Sequence, residues 1–360
     1  MNLNIKNTLT IIGIIIGLIL IVYLNTIVAY VLVSVVLALI GRPIMKGLSL
    51  LKIKGKSLPM TIKSTITLVA LVLFFFSLFS LFTPLIIDEA RILSTIDFES
   101  VSSELQGPIN DLDVWLKDHH LLSPESSVES EIIKLISLAK VKSIFNSALG
   151  ILGNSLIALF SILFITFFFL KEKDLFNNFI LNIVPTTKSE QLSNALKNAK
   201  RLLSRYFIGV MLQVFVITII VSLGLSVLGI ENAILIGFLA GLINVVPYVG
   251  PIIGASIGII IGISTNLELD FYTQMIPLIV KICVVFGSMQ LIDNFILQPI
   301  IFSNSVKAHP LEIFLIVISA GTIWGITGMI IAIPFYTFFR VIAKEFLNEF
   351  KIIQELTKNI

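Results

Sequence analysis

The sequence has few groups suited to covalent chemistry. Its 360 residues include one cysteine, Cys283, and three histidines. A single cysteine excludes an intramolecular disulfide and a cysteine-based metal cluster. The H-E-x-x-H pattern of metalloproteases, the phosphate-binding P-loop and the dinucleotide-binding G-x-G-x-x-G after a strand are also absent. We therefore expect a protein that is not an enzyme, uses no cofactor and drives no process by hydrolysing ATP.

Charge is also scarce. Only 13% of the residues are charged, against about 25% in ordinary globular proteins. Hydrophobic residues make up 56% of the chain, and 27 of them are phenylalanine. The net charge of +3 is too small to indicate nucleic acid as a partner. This composition predicts a membrane protein, with the lipid bilayer as its main partner.

Long apolar segments are abundant, and a bilayer-spanning helix needs roughly 20 residues. Segments 65–87, 149–170, 207–230 and 275–302 fit one span each, whereas 9–40, 233–262 and 311–340 are longer and interrupted near their middles. Each interrupted segment can form a kinked span or a hairpin of two short helices. The predicted fold class is an all-α polytopic transmembrane bundle of about eight spans with broken or kinked helices, plus a small extracytoplasmic helical segment.

Basic residues in the loops predict the orientation in the membrane. Loop 41–64 has six basic residues and no acidic one, loop 88–148 has eleven acidic and five basic residues, and loop 171–205 has seven basic and three acidic residues. These counts place the first and third loops in the cytoplasm. We expect a multi-pass protein of the bacterial inner membrane, with both termini cytoplasmic.

The same pattern divides the chain into six segments. The helix predicted within 171–206 begins at a capping box, Thr187 with Glu190, and could lie on the membrane surface or be an ordinary cytoplasmic helix. Asp111, Asp113 and the His119-His120 pair match no metal-ligand spacing, so we predict no metal site there. The segments are N-terminal transmembrane helices 1–87, an extracytoplasmic amphipathic segment 88–148, a transmembrane helix 149–170, a cytoplasmic amphipathic helix 171–206, a glycine-rich transmembrane core 207–343 and a cytoplasmic tail 344–360.

One helix of the core carries a polar face. Gln290, Asn294 and Gln298 recur every four residues, and Asp293 is one turn from Gln290, so the four side chains share a face. A charge at the bilayer centre costs roughly 2.5–3.5 kcal/mol, so this face should avoid lipid. Pro299 frees a backbone carbonyl beside it. The face can line a substrate pathway, or it can join helices by hydrogen bonds.

The stretch NVVPYVGPIIG, residues 244–254, should interrupt a helix at Pro247, Gly250 and Pro251. Irregular backbone at membrane depth is tolerated only where protein or a water-filled cavity satisfies its polar groups. We interpret the break as a gate or binding site with Asn244 and Tyr248 beside it, although a simple proline kink remains the alternative. Glycines at four-residue spacing indicate close helix packing; those assigned to packing are Gly254, Gly258, Gly262, Gly325 and Gly328.

These motifs resemble the autoinducer-2 exporter family of bacterial permeases. The resemblance rests on Pro247-Tyr-Val-Gly-Pro251, Asp293-Asn294 with Pro299, His309-Pro-Leu311, and Gly325-Ile-Thr-Gly328 followed by Pro334. It implies an oligomeric inner-membrane protein of about eight spans that exports small molecules, autoinducer-2 in some members and sodium in exchange for protons in others. Ile292 stands where the family usually has an acidic residue, which places an acid–acid relay at that position in doubt.

Three hypotheses follow. The first is a secondary transporter that exports a small polar solute past Gln290, Asp293, Asn294 and Gln298. The second is a sodium–proton antiporter in which Asp293 exchanges its proton. The third is a membrane scaffold that transports nothing and binds a partner through 88–148.

Overall fold

The computed structural model describes residues 23–53, 56–95, 110, 114, 117–118, 156–172, 188–266, 269–306, 308–347 and 350–357. This part of the chain is almost entirely helical, apart from a short antiparallel pair of strands, β1 (Lys52–Ile53) and β2 (Lys56–Ser57). Five helical stretches are long and apolar enough to cross a membrane, and three shorter apolar helices accompany them. The predicted helical membrane bundle is thus confirmed. Most of 88–148, with Asp111, Asp113, His119 and His120, and the first half of 9–40 lie outside the described residues.

The described residues within 1–75 and 154–207 belong to one compact unit. Polar contacts join its helices, because the Ser34 hydroxyl donates to the Ile162 carbonyl over 3.0 Å and the Arg42 guanidinium donates to the Lys200 carbonyl over 2.9 Å. The helices of this unit are α1 (Asn25–Ile40), α2 (Arg42–Leu50), the beginning of α3 (Met60–Thr95), α4 (Leu156–Lys171) and the beginning of α5 (Ser189–Val227).

Helix α5 contains most of the helix predicted within 171–206 and most of the span predicted over 207–230. It continues without interruption through residues 206 and 207 for 39 residues. The apolar stripe near its beginning is buried against protein: Leu192, Ala195, Leu196, Ala199 and Leu202 are each at most 6% exposed. The apolar face of this helix therefore packs against protein in the first unit, whereas one of the two predictions from the sequence was that it lies on the membrane surface.

The described residues within 76–153 and 208–360 belong to the second unit. Its apolar core includes Ile217, Leu235, Ile261 and Ile282, which are almost completely buried. Its elements, besides the remainders of α3 and α5, are α6 (Ala233–Ile243), α7 (Val249–Ser264), a π-helical turn (Phe271–Met275), α8 (Ile276–Ile292), a second π-helical turn (Asp293–Leu297), α9 (Gln298–Ser305), α10 (Pro310–Phe346) and α11 (Lys351–Thr357).

Helices α6 and α7 form a hairpin, which we call hairpin 1. A Cβ atom at Gly254 would lie 3.4 Å from Ala240 Cα, and one at Gly258 would lie 3.0 Å from Ile236 Cγ2. Contacts therefore run in opposite directions along the two helices. With 11 and 16 residues, each is shorter than the roughly 20 residues of a span. Helices α6 and α7 are thus antiparallel, and segment 233–262 ends at the same end of the second unit as it begins.

Helix α10 also folds back on itself, as hairpin 2. Trp324 and Gly325 have non-helical backbone angles, and Gly325 has a φ of 61°. The Tyr336 hydroxyl donates to the Glu312 carboxylate over 2.6 Å, whereas 24 residues of straight helix would separate them by about 36 Å. A side chain at Gly328 would overlap the Ala320 carbonyl, so the two arms touch close to the turn.

The order of a long helix followed by a hairpin occurs twice in the second unit. The first long helix is α5, and the second is the continuous helical run 271–305. Side chains at Gly209 and Gly224 would meet Ile301 and Val285, so the two long helices are antiparallel. Hairpins 1 and 2 consequently begin at opposite ends of this unit, an arrangement also found in transporters with inverted repeats.

Candidate functional site

Asp293 carries the one carboxylate of the predicted polar face, and none of its surface is exposed. It begins the π-helical turn that interrupts the run 271–305. Pro299 explains the interruption, because it has no N–H to donate to Phe295, four residues earlier. The chain widens locally and the Gln298 N–H donates to the Asp293 carbonyl instead. Such π-turns frequently occur at functional sites.

Three amide side chains from three separate elements hold the Asp293 carboxylate. Gln213 of α5 donates to Oδ1 over 2.7 Å. Asn244, at the tip of hairpin 1, donates to Oδ2 over 3.2 Å, and Gln298 donates to the same oxygen over 2.7 Å. Both oxygens accept hydrogen bonds, which suits an ionised carboxylate. Among the described residues, the ion pair that the structure shows joins Arg91 to Asp88, so amides and no cation hold the Asp293 carboxylate.

Gln290 and Asn294 extend this cluster to the surface of the unit. Asn294 is exposed, and its Oδ1 accepts from Gln290 over 2.8 Å and from Gln298 over 3.2 Å. Gln298 therefore bonds to both the exposed Asn294 and the buried Asp293. The four residues of the predicted polar face form one connected band, which runs from the surface to the carboxylate.

Two oxygen atoms lack partners, one in this band and one on Asn244 beside it. Asn244 Oδ1 and Gln290 Oε1 are both buried without a hydrogen bond to any described residue. An unsatisfied buried acceptor costs roughly 1–3 kcal/mol. Amide donors, a carboxylate and free acceptors together can bind a small molecule that carries hydroxyl or amino groups.

Tyr248 and Asn244, which were both predicted to lie beside the helix break, make different contacts: Asn244 contacts Asp293, whereas Tyr248 contacts Pro310 and Phe314. Its hydroxyl donates to the Pro310 carbonyl over 3.3 Å, and its ring packs edge-on against Phe314, with 5.3 Å between ring centroids. The Val249 N–H donates to the Pro247 carbonyl over 2.8 Å, which closes a three-residue turn around Tyr248. The tip of hairpin 1 thus reaches Asp293 through Asn244 and hairpin 2 through Tyr248.

The predicted breaks and packing glycines take distinct places. Gly250 and Pro251 lie in the first turn of α7, where proline is tolerated, so they begin that helix. Side chains at Gly258 and Gly262 would meet Phe286 and Ile282 of α8. Gly254 of α7 packs against Ala240 of α6 within hairpin 1. In hairpin 2, Gly325 lies in the turn, and Gly328 makes the close contact with Ala320 in the other arm.

Residues 254–258 read Gly-Ala-Ser-Ile-Gly, which matches the G-x-S-x-G pattern of hydrolases. In hydrolases that serine stands on a sharp turn between a strand and a helix. Here Ser256 lies in the middle of α7, and its hydroxyl donates to the Ile252 carbonyl over 2.9 Å. The surroundings do not support a nucleophile at this position.

Sequence reasoning missed two polar groups of the second unit. Gln213 holds Asp293, and the only signal for it is one amide in an apolar run of α5. Glu89 is 1% exposed and accepts a hydrogen bond from Asn232 over 3.0 Å. The sequence analysis counts Glu89 with the exposed acidic residues of the predicted extracytoplasmic segment, because that segment, 88–148, begins at Asp88. Among the described residues, no three histidine, cysteine or acidic side chains are grouped to hold a metal ion.

Comparison with known proteins agrees with a membrane transport protein. YueF of Bacillus subtilis, named as a candidate transport protein, is 24% identical over 241 residues, which cover 67% of this chain and 62% of YueF. PerM of Escherichia coli K12, named as a candidate permease, is 28% identical over 199 residues, 54% of each chain. These matches span little more than half the length of each relative. The family model of AI-2E family transporters matches residues 9–348, and the chain therefore belongs to this family of multi-pass membrane permeases.

Proposed function

We propose that the protein is a secondary transporter that exports a small polar solute, such as autoinducer-2, across the bacterial inner membrane. The observation that carries the proposal is the buried Asp293 carboxylate, held by Gln213, Asn244 and Gln298 and connected to the surface by Asn294. A carboxylate is costly at membrane depth unless water or a substrate reaches it. Helix packing alone needs only the amides.

The basic loops support the direction of the chain in the membrane. Loops 41–64 and 171–205 are rich in lysine and arginine, which supports a cytoplasmic location for both loops. Hairpin 1 then begins outside and hairpin 2 begins inside, with both termini cytoplasmic. Two short hairpins from opposite sides bring broken helix ends to mid-depth, where transporters bind their substrates.

The test is solute flux in proteoliposomes with a panel of small hydroxylated solutes, for wild type and Asp293→Asn. Asparagine keeps the shape but presents an N–H group to donors that already surround the site. We expect flux to fall by roughly tenfold or more, since one misplaced donor leaves unpaired groups in the site. Asp88→Asn is the matched control because Asp88 is exposed in an ion pair with Arg91. Equal flux in wild type and Asp293→Asn would remove the carboxylate from transport.

A further inference from the structure

Lys63, in the first turn of α3, is a buried lysine of the first unit. Its side chain is 8% exposed, and its ammonium donates to the Ser57 hydroxyl over 2.8 Å. Helical side chains lean toward the N-terminal end of their helix, so the ammonium is directed at the β1–β2 strand pair that precedes α3. A buried ammonium is costly unless an anion pairs with it. The hydroxyl of Ser57 satisfies one donor but leaves the positive charge uncompensated.

The two strands bring a second lysine to the same hydroxyl. Lys52 of β1 pairs directly with Ser57 of β2. Directly opposed residues of an antiparallel pair lie on the same face, with their Cβ atoms about 4.5–5.5 Å apart. Lys52 is exposed, and its flexible four-carbon stem allows its ammonium to reach over Ser57. Lys52 and Lys63 therefore approach one hydroxyl from two different elements.

The surrounding sequence and the helix end add positive charge at this place. Residues 1–75 contain seven basic residues and no acidic one. The beginning of a helix carries a partial positive charge and N–H groups without acceptors inside the helix. Acidic residues in the first turn usually offset that charge, but the first turn of α3 has none and contains Lys63 instead. A bound anion would offset the charge of the lysines and of the helix end together.

Exposed apolar side chains beside the two lysines indicate the source of such an anion. Leu50 and Leu51 directly precede Lys52 and are 82% and 56% exposed. Ile62, next to Lys63, is 45% exposed. Lysines mixed with exposed apolar side chains are typical of the boundary between headgroups and acyl chains. Helix α3 begins here and is long and apolar enough to cross a membrane, so its first turn lies near a headgroup layer.

We propose that Lys52, Ser57 and Lys63 bind the phosphate group of an anionic phospholipid. Lysine binds phosphate as a point charge, so the two ammonium groups supply the attraction. The Ser57 hydroxyl accepts from Lys63 and donates its own hydrogen to a phosphate oxygen. The neighbouring leucines and Ile62 contact the acyl chains of the same lipid layer.

This lipid site goes beyond the proposed solute transport. It lies in the first unit, whereas Asp293 belongs to the second. The proposed orientation places loop 41–64 in the cytoplasm, and the cytoplasmic leaflet is the one whose surface is negatively charged. A phospholipid bound there holds the beginning of α3 at the headgroup layer.

The experiment measures thermal unfolding of the full-length, delipidated protein in detergent while phosphatidylglycerol is added. Phosphatidylcholine, which has no net charge, and inorganic phosphate are added in parallel. We expect phosphatidylglycerol to raise the Tm of the wild type, and the other two to change it little. The amount of phosphatidylglycerol that gives half of the shift should rise about fivefold in Lys52→Gln, as for loss of one lysine near a membrane surface. It should rise roughly tenfold in Lys63→Met, which also loses a charge-assisted hydrogen bond.

Lys197→Gln is the matched control, because it removes the same charge from an exposed position on α5. Its response to phosphatidylglycerol should equal that of the wild type. Equal responses of the wild type to phosphatidylglycerol and phosphatidylcholine, or unchanged responses in Lys52→Gln and Lys63→Met, would overturn the site. A response to inorganic phosphate as large as that to phosphatidylglycerol would assign the site to a soluble anion and overturn the lipid.

Stability without lipid separates a lipid site from a structural lysine. Lys63→Met keeps the length of the side chain and removes a buried charge, so its Tm in delipidated form should equal or exceed that of the wild type. A lower Tm of Lys63→Met, together with an unchanged lipid response in Lys52→Gln, would reduce Lys63 to a structural hydrogen bond with Ser57. Either result leaves the solute flux expected for Asp293 to be tested separately.

Discussion

At the scale of single residues, Tyr248 has an unusual backbone. Its φ of 67° and ψ of −48° lie in a region that residues with a side chain rarely occupy. Asn232 is the other described non-glycine residue with a positive φ. The two stand at the beginning of α6 and the beginning of α7, next to the contacts with Glu89 and Pro310. Strain of this kind typically persists where the surrounding structure holds a functional conformation.

Comparison of Tyr248→Ala with Tyr248→Gly tests this strain. Both variants remove the ring contact with Phe314 and the bond to Pro310, but only glycine adopts a positive φ without a steric cost. We expect the glycine variant to be more stable than the alanine variant by about 1–3 kcal/mol. Thermal unfolding in detergent gives the difference. Equal stabilities would show that the backbone is not held at this positive φ.

At the scale of elements, the sequence predicts where helices break, but it does not predict whether the chain then continues in the same direction or folds back into a hairpin. Pro247, Gly250 and Pro251 mark the break in 233–262, and Gly325 marks that in 311–340. Whether a broken segment continues or folds back depends on contacts such as Gly254 with Ala240, which are formed between residues distant in the sequence. Gln213 escaped prediction for the same reason, because only the fold brings it to Asp293.

Glycine substitutions test the packing of these elements. A Cβ atom at Gly258 would be 2.9 Å from the Phe286 ring and 3.0 Å from Ile236, so Gly258→Ala should destabilise the protein by about 1–3 kcal/mol. Gly47→Ala is the control, since nothing lies within 4 Å of that position. There we expect a gain of about 0.4–1 kcal/mol from the restricted unfolded chain. A tolerated Gly258→Ala, measured by thermal unfolding, would contradict the close contact of hairpin 1 with α8.

At the scale of the whole molecule, the two hairpins limit the number of times that the chain can cross a membrane. The spans and the loop charges could be read from the sequence, because both follow from local composition. The number of crossings could not, since 233–262 and 311–340 each fit either one crossing or none. In the second unit, both segments fold into hairpins, and the long helices α5 and 271–305 are each long enough to cross a bilayer.

This path predicts that the loop after hairpin 1 faces the outside of the cell. A cysteine introduced as Thr265→Cys, with Cys283→Ser to remove the native thiol, should react with a membrane-impermeant reagent added to intact cells. We expect this reaction because hairpin 1 begins and ends on the outer side of the membrane in the proposed orientation. Ser49→Cys, in the basic loop 41–64, is the matched position that should react only after the cells are opened. Reaction of Thr265→Cys only in opened cells would rule out the proposed orientation.

The central claim is that water and solute reach the polar band at Asp293, and cysteine reactivity at Asn294 measures this most directly. Thiol reagents react with the ionised thiol, which requires water. In the Cys283→Ser background, Asn294→Cys should react in proteoliposomes and be protected by a transported solute. Phe295→Cys, whose side chain is 76% exposed on the neighbouring face, should remain unreactive in lipid. An unreactive Asn294→Cys, or labelling that no solute changes, would contradict the account.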